Sequence, residues 1–312
     1  MQTRTLKSDL LLLVAAFIWG TTFVAQRMGM DHIGPMTYNA LRFALGAVTL
    51  VPVIWLFRTN DETIGRPRST RFLFWAGILA GMALFGGASM QQMGLVYTTA
   101  GKASFITSLY VALVPIAGMF LGHRCGLPVW AGAALAVAGL YLLSVTESLA
   151  IGRGDLLVLA GALFWTVHVL LIDYLAKRAN PLHIACIQFL ACSALSLPAA
   201  VLSEQITLPA IGAATIPILY GGILSAGVAF TLQVVCQRTS PPAHAAIVMS
   251  LETVFAALSG YLILHERLTP RDLLGCVLMF TGLMVVQLPL LLGSPAIRKP
   301  GPNAPLTAAG RL

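Results

Sequence analysis

Apolar runs of about twenty residues follow one another along nearly the whole chain, and a helix needs ~20 such residues to cross ~30 Å of hydrocarbon. Ten runs can be read, at about 9–28, 36–57, 71–92, 102–121, 127–145, 155–175, 182–202, 213–234, 243–264 and 270–291. The segments between them carry turn chemistry, as in "DHIGP", "GHRCGLP", "RANP", "TSPPAH" and "ERLTPR". Of 312 residues, 58% are hydrophobic and 10% are charged, whereas soluble domains carry ~25% charge. Too few polar groups exist to coat a water-facing surface, so a bilayer is the expected solvent. The formal charge of +8 is spread between the apolar runs, where it orients a membrane protein better than it would hold nucleic acid. Cys125, Cys186, Cys192, Cys236 and Cys276 form no C-x-x-C pair and read as small packing residues. Arg4, Lys7 and the first run have the outline of a signal peptide, but the phrase recurs inside the chain, which favours a membrane helix.

That recurrence sets the organisation. "DLLLLVAAFIWG" at 9–20 returns as "DLLVLAGALFWT" at 155–166, so Asp9 matches Asp155, Ala16 matches Ala162 and Trp19 matches Trp165, at an offset of 146. The same offset pairs Phe43 with Phe189 and Pro52 with Pro198. Further on, an offset of 142 pairs Ser108-Leu109 with Ser250-Leu251, Gly118 with Gly260 and Pro128 with Pro270. The unit is five helices, repeated. It divides the chain into 1–150 and 151–291, with a Pro-, Gly- and Ala-rich tail at 292–312 expected to be disordered and cytoplasmic. Loops on the side of the N-terminus hold 13 of the 19 Lys and Arg, the opposite loops hold 5, and Arg42 lies within a run. Both termini are therefore expected in the cytoplasm. Five is odd, so the second unit must cross the membrane upside down. The expected fold is all-α and integral to the membrane: ten transmembrane helices built as two inverted five-helix repeats, an architecture of secondary transporters with the substrate at the midplane.

The phrases "FIWGTTFVAQR", "NALRFALGA", "GKASFITSLYVALVP" and "SLETVFAALSGYLILHERLTPRDLLG" resemble the EamA family of the drug/metabolite transporter superfamily, over about residues 9–291. Where that family commonly reads Leu-Glu-Pro and then Gly-Glu, this chain has Leu251-Glu252-Thr253 and His265-Glu266; without the proline a straighter ninth helix is expected. The resemblance implies a ten-helix inner-membrane carrier of small metabolites, often an exporter, with substrates that include amino acids and other polar solutes.

Isolated polar residues within the runs are the candidates for substrate binding. Glu252 is nine residues into its helix, or ~14 Å at 1.5 Å per residue, and an ionisable group at that depth costs ~3 kcal/mol or more. It is read as lining a central cavity and taking a proton or the cationic part of a substrate, the alternative being a protonated or paired structural glutamate. Tyr110 is its counterpart across the repeat. Arg42, ~10 Å from the outer face, either binds a carboxylate, pairs with Glu252 or snorkels to the interface; its inverted counterpart is Gln188. His168 lies one turn beyond Trp165 and either titrates or packs. Trp19 and Trp165 each fall ~15 Å from a helix start, at midplane depth from opposite sides, and read as opposed apolar walls of a central cavity, with core packing as the alternative. Gln91 and Gln233 are either amides at the interface or candidates for the two cavity mouths. Lys102 and His244 begin the fourth and ninth helices at equivalent places and read as solvated helix starts. Gly77 with Gly81, and Gly118 with Gly122, read as helix-packing pairs.

"TAGKAS" at 99–104 lacks the first glycine of a phosphate loop, and "HERLT" at 265–269 lacks the second histidine of a zinc helix. No catalytic constellation stands out, so the chain is expected not to be an enzyme and to need no cofactor or metal. An integral-membrane enzyme would place acids, histidines or basic clusters in its loops, and a sensor or assembly protein would usually carry a soluble domain; these readings rank behind a carrier. The expected partners are a small-molecule substrate, protons and lipid, with no nucleic acid. One chain contains both halves of the cavity, so a functional monomer is expected.

Overall fold

A computed structural model describes residues 2–56, 69–123, 125–144, 152–263 and 269–291, and every regular element among them is helical. The tail at 292–312, the His265-Glu266 pair, and the basic residues at 58, 66, 68 and 124 lie outside the described residues.

The helices are α1 Gln2–Gly29, α2 Pro35–Leu56, α3 Thr70–Leu95, α4 Ala100–Ser108, α5 Tyr110–Phe120, α6 Leu127–Ser144, α7 Arg153–Ala176, α8 Pro181–Ser203, α9 Leu208–Ala213 and α10 Thr215–Leu219. A π-helical stretch, Tyr220–Phe230, follows, then α11 Thr231–Cys236, α12 Pro242–Met249, α13 Glu252–Ile263 and α14 Pro270–Leu291. Taken as continuous runs, eight of these are long and apolar enough to cross a membrane, and Leu127–Leu142 and Leu273–Val286 are shorter apolar helices. Large side chains such as Trp55, Trp75, Phe120 and Leu202 face outward. That surface suits lipid, because hydrocarbon solvates an outer apolar face while the helix satisfies its own backbone.

Glycines and alanines let the helices approach closely. A side chain on Gly20 of α1 would stand 2.5 Å from the Glu252 carbonyl oxygen and 2.8 Å from the Ala256 nitrogen of α13. Gly77 and Gly81 of α3 do meet Ile187 and Ala191 of α8. Gly118 and Gly122 do not form the expected pair: Gly122 ends α5 in the left-handed region at φ 78°, with open space around it.

Helix direction follows from the contacts. Phe23 of α1 clusters with Leu95, Ala100 and Val158, and Gln91 donates to Gln26 at 3.1 Å. The last turns of α1 therefore meet the first turns of α4 and α7. The N-terminal end of α1, which carries Asp9, packs instead beside α12, where His244 lies 2.8 Å from Asp9.

Three departures from regular α-helix were absent from the expectation. The run 100–120 breaks at Leu109, and the run 242–263 breaks at Ser250-Leu251, two places equivalent at the offset of 142. The missing proline thus does not keep the ninth helix continuous. At both breaks the bonds tighten to i→i−3, from Leu109 N to Ile106 O and from Leu251 N to Val248 O, and the Ser250 hydroxyl competes by donating to Ile247 O at 2.8 Å. The eighth run is π-helical for eleven residues, a geometry usually confined to single turns near functional sites. Small residues accommodate its packing on α2: a side chain on Gly222 would fall 2.6 Å from Leu45, and one on Gly46 would fall 2.6 Å from Ala226.

Candidate functional site

Both helix breaks deliver polar side chains to one place. Tyr110 opens α5 and Glu252 opens α13. The Tyr110 hydroxyl and the Ser108 hydroxyl each donate to Glu252 Oε1 at 3.2 Å. Thr253 ties the two breaks together, donating to Ser108 Oγ at 2.7 Å and to the Ser104 carbonyl at 3.2 Å. Glu252 is 4% exposed and lies in the first turn of its helix, where the helix dipole favours negative charge. Among the described residues no cation reaches it.

Glu252 lines a narrow cavity of about 50 Å³. Trp19, Arg42, Gln91, Tyr110, Trp165 and Gln233 line it too, drawn from α1, α2, α3, α5, α7 and α11. Arg42 is 2% exposed, with its guanidinium 4.6 Å from the Phe43 ring centre and 5.3 Å from that of Tyr38. It neither snorkels nor pairs with Glu252: no carboxylate lies within ion-pair distance among the described residues, and its Nε has no protein partner. One buried cation and one buried carboxyl group thus share a cavity without contacting each other.

Trp19 and Trp165 both meet Phe230, the last residue of the π-helical stretch, at 4.8 Å and 5.7 Å between ring centres. The Trp165 Nε1 donates to Gln91 Oε1 at 2.9 Å, and Thr107 donates to the same oxygen at 3.3 Å. Gln91 is therefore held in a buried network, and Gln233 is likewise buried, with an Oε1 that has no protein partner. Trp19 Nε1 is also unpartnered. Buried polar atoms in native proteins are nearly always hydrogen-bonded, so three residues lining one cavity that each carry an unpartnered polar atom leave capacity for a polar ligand.

His168 stands behind that wall. It is fully buried, its Nε2 lies 2.9 Å from Gln188 Oε1, and its ring meets Trp165 and Phe230 edge-on at 5.9 Å and 6.1 Å. His244 is not a solvated helix start, and Lys102, with 35% of its side chain exposed, is only partly one. Lys102 reaches Asp155 at 2.6 Å, and His244 is 4% exposed beside Asp9.

Sequence reasoning passed over Phe230, Gln26, Thr107, Ser225 and Met249, which complete the lining with Phe23 and Val169. Gln26 did carry a signal that could have found it, as an amide within an apolar run. Phe230 carried no such signal, being one phenylalanine among 14.

Comparisons with known proteins point to membrane transporters. The EamA-like transporter family matches residues 6–145 and again 152–288. An uncharacterized transporter of Archaeoglobus fulgidus is 32% identical over 291 residues, covering 91% of this chain and 87% of that one. A probable terminal-alkyne amino-acid exporter of Streptantibioticus cattleyicolor is 25% identical over 280 residues, covering 88% of this chain and 92% of its own. A crystal structure of a protein superposes with a TM-score of 0.75 at 20% identity, over 90% of this chain and 98% of the other, a likeness of fold.

Proposed function

This chain belongs to the EamA-like transporter family, and we propose that it is a secondary carrier, acting as an exporter, of small polar or amphipathic metabolites such as amino acids. The observation that carries this reading is the pair of opposite ionisable groups, Arg42 and Glu252, buried on one cavity and unpaired with each other. An amino acid supplies a carboxylate for the guanidinium and an ammonium for the carboxyl group. Its side chain would lie against Trp19, Trp165 and Phe230. The relative named as an amino-acid exporter supports the same substrate class.

The cavity of about 50 Å³ is smaller than the ~300–1,000 Å³ of a ligand pocket. Binding therefore requires the helices to part, as alternating access supposes. The working architecture is ten transmembrane helices in two inverted five-helix units, 1–150 and 151–291, with 292–312 as a cytoplasmic tail. Recurrent helix breaks at Leu109 and Leu251 support it, as do the two consecutive family matches. Excess Lys and Arg on one side orients both termini to the cytoplasm of a bacterial-type inner membrane. The cavity is complete within one chain, which therefore works as a monomer without a cofactor. Glu252 is the group placed to exchange a proton for substrate.

Purified protein in liposomes, offered a panel of labelled amino acids with and without a proton gradient, tests the proposal. Net flux of at least one amino acid, with accumulation driven by the proton gradient, is expected. Equal flux down the substrate gradient with no gradient-driven accumulation refutes proton antiport, and no flux of any panel member refutes the substrate class.

A further inference from the structure

Two acid–base pairs occupy the ends of the helix bundle, and they are counterparts in the sequence. Asp9 and Asp155 are equivalent at the offset of 146, and His244 and Lys102 at the offset of 142. In space each acid joins the base of the other half. His244 Nε2 lies 2.8 Å from Asp9 Oδ1, and Lys102 Nζ donates to Asp155 Oδ2 at 2.6 Å. Each pair has a hydroxyl contact alongside: Ser8 Oγ meets Thr239 Oγ1 at 3.1 Å, and Thr98 donates to Asp155 Oδ1 at 2.9 Å.

The pairs sit at opposite ends. Asp9 is in the early turns of α1, whereas the last turns of α1 meet the beginnings of α4 and α7, where Lys102 and Asp155 stand. From Asp9 to Gln26 the helix rises ~25 Å. The cavity, with Trp19 and Glu252 on its wall, lies between.

We infer that Asp9–His244 and Asp155–Lys102 are two latches, each closing one end of the carrier by tying the first half of the chain to the second, and that the transport cycle opens them alternately. The inference rests on the alternating-access reading above. Each pair must break for the halves to separate at its own end, and neither contributes a lining residue to the cavity. These are positioning residues: they set which way the cavity faces and do not touch the substrate.

The test reads that direction. Ser225 lines the cavity. A Ser225→Cys reporter is placed in the full chain with its five native cysteines replaced by alanine. Sealed vesicles of each orientation are then treated with a membrane-impermeant maleimide. His244→Leu and Lys102→Met each cut one latch while sparing Asp155, which also caps α7 through Gly152 N at 2.8 Å. The expected result is a shift of about tenfold in the ratio of labelling from the two sides, the size of one charge-assisted hydrogen bond, in opposite directions for the two variants. The exchange of Asp155→Lys with Lys102→Asp, which rebuilds the pair in reverse, is expected to return the ratio toward that of the reporter chain with both latches intact. Shifts in the same direction, or an unchanged ratio in folded variants, would overturn the inference. Alternating access itself is read separately, from labelling of the reporter chain with both latches intact: access from one side only during active transport refutes that reading, whatever the variants do.

Discussion

Replacing Arg42 with methionine should weaken substrate binding without weakening the fold, and the structure gives the sizes. Arg42 is 2% exposed and has no carboxylate partner among the described residues. Its compensation includes the two aromatic rings at 4.6 Å and 5.3 Å, each worth ~0.5–2 kcal/mol, and a polar contact with the Tyr38 side chain. Removing a charge from water costs several kcal/mol even after relaxation, so the guanidinium burdens the empty protein. Methionine keeps much of the volume and discards the charge. Stability of the Arg42→Met chain should hold or rise by ~1–3 kcal/mol, as it does when buried ions give way to packed apolar groups. Substrate binding should lose a charge-assisted interaction of ~1.5–3 kcal/mol, or about 10- to 150-fold in affinity. Thermal unfolding in nanodiscs reads the first quantity, and the concentration dependence of counterflow reads the second. A lower unfolding temperature with unchanged affinity would refute the reasoning, because it would make Arg42 a packing residue.

Glu252→Gln removes the one carboxyl group on the cavity wall among the described residues; exchange of substrate down its gradient should persist while accumulation against it disappears, and an unchanged pH dependence and affinity would exclude a role for Glu252. Gly20→Ala puts a methyl group 2.5 Å from the Glu252 carbonyl oxygen and 2.8 Å from the Ala256 nitrogen. Because those atoms are backbone, α1 and α13 must separate, and a loss of ~1–3 kcal/mol is expected, checked by thermal unfolding; no measurable loss would contradict the close packing. Trp165→Phe keeps the stack on Phe230 but deletes the donor to Gln91 at 2.9 Å, so a stability loss of ~1 kcal/mol is expected. If truncation to Phe costs nothing, the Gln91 network is not holding the wall.

Helical membrane segments were legible because hydrocarbon demands about twenty apolar residues in a row, a pattern that survives without knowledge of neighbours. The proximity of Tyr110 and Glu252 was also visible, because a constant offset relates their positions and both stand out as polar in apolar runs. What depends on partners was not visible. Lys102 and His244 look like solvated helix starts until Asp155 and Asp9 arrive from the other half. Phe230 becomes the meeting point of Trp19 and Trp165 only through the register of its own helix. That register is set by eleven π-helical residues, which pack closely on α2 through Gly222 and Ala226 and leave no mark in a hydropathy pattern. Backbone breaks at Leu109 and Leu251 were hidden for a similar reason, since neither has a proline within the break itself.

The central claim is that the cavity bearing Arg42 and Glu252 is where a carrier holds its substrate. Counterflow of labelled amino acids in liposomes, comparing the wild-type chain with a folded Arg42→Met, Glu252→Gln double variant, tests it most directly. The account predicts saturable exchange of at least one amino acid by the wild type and none above empty liposomes by the variant at the same concentration. Equal exchange by both chains, with the same half-saturating concentration, would contradict it.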